Sequence, residues 1–320
     1  MTQKLTFATR RRYDTKFLMD GTVRVEGFDI ECVNYKGPGG MTSFFRDMVT
    51  DLSYDIGEQA FAHYLIAKDQ GKPLTAIPVF PSRFFPHLGV SVATRSGIRN
   101  PRDLVGKRVA APDWGFNPAV WMRGILAHQY EVPAEKIIWV VSAEEPLFRG
   151  LSYPRSRRFQ IEKVSVPDDG SHGFLPLMES GAIDAIFLAA GGIDPTGASK
   201  KLFEDPYPEI ERYAAETGVF PINTLITLKE SVVKASPELP RALMKAWEQA
   251  RSRYVRETEE GKETDHMGIE VRRLKAMKVF PQAYSLDANR GAIRMMIQYC
   301  YEQGLIRTLF EPEELFLDVF

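Results

Sequence analysis

Short apolar runs alternate with stretches of helical spacing along most of the chain, and polar or Gly/Pro-bearing turns separate them. Lys4 to Thr9 has the alternation of a strand, Phe28 to Val33 forms a second, and Gly37 to Gly40 with Pro38 reads as a turn. Thr42 or Ser43 suits the cap of a helix running to Thr50, with Phe44, Phe45 and Met48 on one face. The next helix carries Phe61, Tyr64, Leu65 and Lys68 and closes at Gly71, which puts Glu58 at its start, where the helix dipole favours a carboxylate. Thr75 to Val92 reads as a strand, Ala76 to Phe80, then a rigid crossing set by Pro78, Pro81 and Pro86, then a second apolar run from Leu88. A short helix falls within Gly97 to Val105, strands at Lys107 to Ala111 and Ile137 to Val141, a helix from Phe174 to Gly181, and a strand at Ile183 to Leu188. Gly191, Gly192 and Pro195 form a loop. Thr217 to Leu228 is a Pro-broken run suited to a second crossing, and Pro237 to Arg256 and Leu286 to Gln303 are helical.

Strands alternating with helices predict an α/β protein with mainly parallel sheets and helices on both faces. At 320 residues the chain exceeds the usual size of one core, so two domains are expected. The two Pro-bearing crossings let the chain leave one lobe and return: residues 1–86 and 229–320 make lobe one and residues 87–228 lobe two. A ligand would then sit between the lobes, where strand ends face each other.

With 41 basic and 42 acidic residues, net charge −1, no whole-chain field attracts nucleic acid. Cys32 and Cys300 stand far apart with no paired spacing, so neither a disulfide framework nor a thiolate metal site is indicated. His63, His87, His128, His172 and His266 also lack ligand spacing, and no dedicated metal site is expected. No window approaches the roughly 18 apolar residues of a membrane span, and the N-terminal segment lacks the apolar stretch of a signal peptide. A soluble, cytoplasmic protein is the expectation.

Candidate chemistry gathers at a few places. Arg10, Arg11, Arg12 and Tyr13 directly follow a strand, as either an anion clamp or a solvated basic turn. Arg83 and His87 sit in the first crossing beside Phe84 and Phe85, a fixed cation next to a side chain that exchanges protons near neutral pH. The alternative is a plain Pro-rich connector with a satisfied histidine. Asn117-Pro118 is a helix start whose free N–H groups suit a carboxylate. Trp114, Phe116 and Trp121 around it can wall a flat aromatic ligand or simply pack the core. Arg149, Arg155, Arg157 and Arg158 read as an exposed, solvated basic loop.

Seven segments carry a chain-long likeness: RYDTKFLMDGTVRVEGFDI (12–30), FFRDMVTDLSYDIGEQAFAHYL (44–65), IPVFPSRFFPH (77–87), GIRNPRDLVGKRVAAPDWGFNPAVWMRGIL (97–126), LMESGAIDAIF (177–187), KLFEDPYPEIERYAAETGVFPIN (201–223) and YCYEQGLIRTLFEPEELF (299–316). In these the sequence resembles the 4,5-dihydroxyphthalate decarboxylase family. The resemblance implies a two-lobed, type II periplasmic-binding-protein-like α/β fold, two mixed sheets flanked by helices with a ligand cleft between lobes. It also implies a cytoplasmic homo-oligomeric carboxy-lyase of phthalate degradation, acting on an aromatic carboxylate and needing no nucleic acid or membrane partner. The chain departs from the family's pattern at Asn223-Thr224, where a Met-His pair is usual, at Leu88 after His87, and in the more apolar loop from Trp114 to Asn117.

Direct loss of carbon dioxide from an aryl carboxylate would leave an aryl anion too unstable to form. A hydroxyl para or ortho to the carboxylate removes the difficulty. Its deprotonation pushes electrons into the ring, the carboxylate-bearing carbon takes a proton, and the ketone-like ring accepts the electrons left by the departing group. The substrate is its own electron sink, so no cofactor is expected. The protein must clamp carboxylates, draw the phenol proton with a base and deliver a proton to carbon. The expected set is His87 as proton donor, Glu58 as base or His-orienting group and Arg83 as clamp, with Arg10, Arg12, Tyr13, Trp114, Asn117, Trp121, Arg123 and Asn223 binding substrate. The rival class is a solute-binding module that holds an aromatic acid unchanged, and a third is an enzyme of pyrimidine or menaquinone precursor synthesis on the same scaffold.

Overall fold

The alternating Lys4–Thr9 run forms β1 and pairs in parallel with β2 (Asp29–Asn34) on one side and β3 (Ile56–Ala60) on the other. Strand β4 (Leu74–Arg83) is buried along its full length, and β11 (Ile222–Lys229) runs antiparallel between β3 and β4, giving the order β2-β1-β3-β11-β4. The second sheet is β10-β5-β9-β6-β7-β8, built from β5 (Val90–Ala93), β6 (Arg108–Ala111), β7 (Ile138–Ser142), β8 (Gln160–Val164), β9 (Ala185–Phe187) and β10 (Ser199–Lys201). Strands β6 to β9 are parallel neighbours, whereas β5 runs antiparallel to β9 and β10. Both sheets are therefore mixed, and the antiparallel members are the strands that follow or complete the crossings. A short hairpin, β12 (Asp265–His266) with β13 (Ile269–Glu270), stands apart. This computed structural model describes residues 4–34, 41–145, 151–154, 157–166, 173–189, 191 and 197–319, without the side chains of residues 41–43.

Helices cover the sheets: α1 (Thr15–Met19), α2 (Met41–Thr50), α3 (Phe61–Asp69), α4 (Asn117–Tyr130), α5 (Leu175–Ser180), α6 (Tyr207–Thr217), α7 (Glu230–Ala235), α8 (Leu239–Glu259), α9 (Val271–Ala276) and α10 (Leu286–Glu302). In α8 the buried residues Leu243, Ala246, Trp247, Ala250 and Tyr254 recur at helical spacing, and Trp247 meets Phe7 of β1 edge-on at 6.1 Å. Each such large apolar side chain contributes about 1.5–3 kcal/mol when fully buried.

Several sequence expectations shift. Helix α2 begins at Met41, so Thr42 and Ser43 lie inside it rather than at its cap. Pro78 and Pro81 belong to β4 and not to the crossing, which narrows to a 3-10 turn at Pro86–Gly89. A strand tolerates these prolines where its missing N–H groups are not needed by the ladder. Strand β11 joins the first sheet from Ile222, so the return to that sheet precedes residue 229. Gly37 to Gly40, Arg149, Arg155, His172, Gly192 and Pro195 lie outside the described residues.

Helix α4 of the second sheet's layer packs on α10, and Gly124 permits the approach: a Cβ there would lie 2.2 Å from the Tyr299 ring. Gln303, just past α10, accepts from Arg123 Nε at 2.6 Å and donates Nε2 to the Val120 carbonyl at 2.9 Å. Trp114 Nε1 donates to the Gln303 carbonyl at 3.0 Å. The C-terminal helix thus grips the helix that opens at Asn117, and fixes where that opening points.

Candidate active site

Glu58 is the residue around which the site assembles. Sequence spacing puts it at the head of a helix; it lies instead in β3, with α3 starting directly after that strand at Phe61. The strand Ile-Gly-Glu-Gln-Ala is buried at every position, and its carboxylate is fully buried. An isolated carboxylate there would be strongly disfavoured, and three neighbours offset that cost. Thr9 Oγ1 at the end of β1 donates to Oε2 at 2.8 Å, Thr224 Oγ1 of β11 donates to Oε1 at 2.6 Å, and the Arg12 guanidinium forms an ion pair with Oε1. Arg12 is held by its own loop: its N–H donates to Thr15 Oγ1 at 2.8 Å, and that hydroxyl donates to the Arg10 carbonyl at 2.6 Å. Arg10 stays exposed.

The register between β11 and β4 shifts on either side of Thr224, a bulge that re-aims the strand. Asn223 at that bulge accepts from Asn117 Nδ2 at 3.1 Å through its Oδ1. Asn117 also accepts from the Ala62 N–H at 2.8 Å, and Trp121 Nε1 donates to the Ile222 carbonyl at 2.8 Å. Asn117 is the first helical residue, Phe116 precedes it without a side-chain cap, and the helix start is thereby tied to α3 and β11. Glu58, Arg12, Asn117, Trp121 and Asn223 are thus brought together by the middle of β3, the end of β1 and the starts of β11 and α4, with Thr9 and Thr224 as members that periodicity did not single out.

Five expected residues are placed otherwise: Trp114, Arg123, Arg83, His87 and Tyr13. Trp114 and Arg123 are about 1% exposed and pack together, the guanidinium 3.9 Å from the indole centroid; Trp114 Nε1 and Arg123 Nε are directed to Gln303 and Arg123 Nη2 to the Trp114 carbonyl, while Arg123 Nη1 has no hydrogen-bond partner among the described residues. They brace α4 against α10. Arg83 ends β4 and donates to the Phe220 carbonyl at 3.1 Å and to Asn289, with its guanidinium 5.0 Å from the Phe80 ring. Burial pulls its pKa down to about 9, so the cation persists at neutral pH while these donors are spent on the protein.

His87 lies in the 3-10 turn within an aromatic cage, its ring 5.5 Å from Phe203 and 5.7 Å from Tyr213. Neither ring nitrogen has a hydrogen-bond partner among the described residues. Burial, above all, draws its pKa to about 4, so the imidazole is neutral at pH 7. Titration near neutral pH, expected from the residue type, is lost in this environment.

Tyr13 leads to a second group. It has a left-handed backbone (φ 39°), and its hydroxyl accepts from the N–H of Met267, also left-handed (φ 52°), at 2.6 Å. Its ring stacks on His266 at 4.4 Å, and His266 Nδ1 shares a 2.9 Å hydrogen bond with the Tyr254 hydroxyl. Burial, then the charges of Arg83 and Arg12, pull the His266 pKa to about 3. The only sequence signal for this group was the position of Tyr13 in the arginine loop, because the two-residue strands of the hairpin leave no periodicity. Among the described residues no cluster of three or more His, Cys, Asp or Glu side chains is placed to hold a metal ion.

Two mixed sheets linked by crossings, with strand and helix ends meeting around a buried carboxylate, define a periplasmic-binding-protein-like α/β protein. The solved periplasmic aliphatic sulphonate binding protein SsuA from Escherichia coli shares the fold at TM-score 0.57 and 13% identity, covering 99% of this chain and 93% of that one. The desulfurization enzyme DSZB does so at TM-score 0.55 and 15% identity, covering 98% and 97%. A family model described as NMT1/THI5 like matches residues 24–150. The chain is 30% identical over 319 residues to 4,5-dihydroxyphthalate decarboxylase of Comamonas testosteroni, covering 93% of this chain and 92% of the relative. A protein of the same description from Pseudomonas putida is 33% identical over 124 residues, 38% of this chain and 46% of the relative. The chain belongs to the 4,5-dihydroxyphthalate decarboxylase family, and its relatives support a decarboxylase function.

Proposed function

We propose that this protein is a cofactor-independent carboxy-lyase that removes carbon dioxide from a hydroxylated aromatic carboxylate, 4,5-dihydroxyphthalate or a close analogue. The observation that carries the reading is the likeness over nearly the whole length of both chains to a protein described as that decarboxylase. The buried carboxylate supports it chemically. Glu58 is the base for the ring hydroxyl, oriented by Thr9, Thr224 and Arg12. Arg10 and Arg12, together with the start of α4, favour a substrate carboxylate through charge and the helix dipole. Asn223 and Asn117 supply hydrogen bonds at the strand bulge. His87, neutral and caged, sets the shape of the crossing. A cytoplasmic location and a homo-oligomeric state belong to the same proposal.

Incubation with a panel of hydroxylated benzoates and phthalates, following carbon dioxide release, tests it. Release from at least one ortho- or para-hydroxylated member is expected, and Glu58→Gln should lower turnover by roughly 10²–10⁴-fold, the usual contribution of a positioned base. Tight binding of an aromatic acid with no release from any member would establish a binding module instead.

A further inference from the structure

Two residues after Arg12, the arginine loop ends in a carboxyl to which the mechanism above gives no task. Asp14 is 3% exposed, its Oδ2 accepts from the Tyr284 hydroxyl, and its Oδ1 has no hydrogen-bond partner among the described residues. It borders a crevice of about 40 Å³ that Arg83, Phe220, Tyr254, His266 and Tyr284 also line. That volume is enough for at least one water molecule. Burial raises the Asp14 pKa to about 6, against lowering by the Tyr284 hydrogen bond and the Arg12 charge. Other charges around it are Arg83 at the end of β4 and Arg251 on α8, the latter paired with Glu248 at 2.9 Å. The titratable neighbours are Tyr13, Tyr254, His266 and Tyr284, of which His266 is neutral at pH 7.

Decarboxylation has a proton balance that the site must meet. The aryl carboxylate and one proton become the aryl C–H and carbon dioxide: the C–C bond breaks, its electron pair stays with the ring, and the added proton makes the new C–H bond. The phenol proton taken by the base returns when the ring regains aromaticity, so each turnover consumes one proton from outside. Resting on the decarboxylase reading, we propose that Asp14 is the proton store of the site, a relay residue that passes a solvent proton through its crevice toward the ring carbon and is reloaded between turnovers.

Only the protonated form can give a proton, so turnover should fall as pH rises through about 6. Asp14→Asn should remove that basic limb and lower turnover by roughly 10²-fold. Tyr284→Phe removes a hydrogen bond that favours the charged form, and should shift the limb to higher pH with turnover retained below it. An infrared readout is independent of activity. In the ligand-free wild type, the C=O stretch of a protonated buried carboxyl should vanish as pH rises through about 6, be missing in Asp14→Asn, and persist to higher pH in Tyr284→Phe. A carboxyl titrating near its ordinary 3.8, or a basic limb unchanged in a folded Asp14→Asn protein, overturns the assignment and leaves the decarboxylase reading standing. Absence of carbon dioxide release by the wild type at every pH overturns that reading and this role with it, even if the infrared titration is as described.

Discussion

At the residue scale, the proposed chemistry rests on how a buried charge is compensated. Glu58 is fully buried and Arg12 nearly so, with 0% and 12% side-chain exposure, and their ion pair links the arginine loop to the first sheet. Removing one partner of a buried pair leaves the other uncompensated, which costs about 3–5 kcal/mol. Arg12→Met should therefore lower unfolding free energy by about that amount in a denaturant titration, while Arg10→Met, at an exposed position, should change it by less than about 0.5 kcal/mol. Equal small effects from the two would mean that Glu58 is stabilised by the Thr9 and Thr224 hydroxyls alone. Residue types in the sequence did mark this pair, since both Glu58 and the three-arginine loop stood out as candidates. The Thr9 and Thr224 hydroxyls did not, because a threonine that supports a carboxylate reads like any other β-branched strand residue. Their part depends on strands 49 and 166 residues away from Glu58 in the chain being brought beside it.

At the element scale, the starts and stops of most long strands and helices were legible, and the errors have physical causes. Strand β3 reads as polar because Gly57, Glu58 and Gln59 occupy its middle, yet all are buried, and no linker separates it from α3. The prolines of β4 look like a crossing until the strand is seen to carry them. Asn117-Pro118 correctly marked the start of α4, whereas the grip of Gln303 on Trp114 and Arg123, residues about 180 positions away, left no sign in the local pattern. That contact between α4 and α10 can be tested where it is tightest. Gly124→Ala places a Cβ inside the space of the Tyr299 ring and should destabilise by about 1–3 kcal/mol, the typical cost of overpacking a filled core. Equilibrium unfolding by urea measures this. A neutral result would show that Tyr299 moves aside freely and that α10 does not fix α4. The companion Gly124→Ala, Tyr299→Leu double variant should recover part of the loss by opening room for the methyl group.

At the scale of the whole molecule, alternation of strands and helices with two crossings was enough to foresee a two-lobed α/β fold, though not the antiparallel strands β5 and β11 that make its sheets mixed. The same scaffold serves a sulphonate-binding protein and a desulfurization enzyme among the solved structures of like fold, so architecture alone does not choose between holding a ligand and changing it. Family membership supports a decarboxylase, and Glu58, Arg12 and the opening of α4 are the groups on which that function is proposed to depend. The direct measurement is the reaction of purified protein with 4,5-dihydroxyphthalate and its hydroxybenzoate analogues in deuterated water, with product examined by mass spectrometry and proton NMR. One carbon dioxide per product molecule and a single deuterium at the ring carbon that lost its carboxylate are expected. Recovery of every aromatic acid intact, with calorimetric heat showing that one of them binds, would contradict the decarboxylase reading.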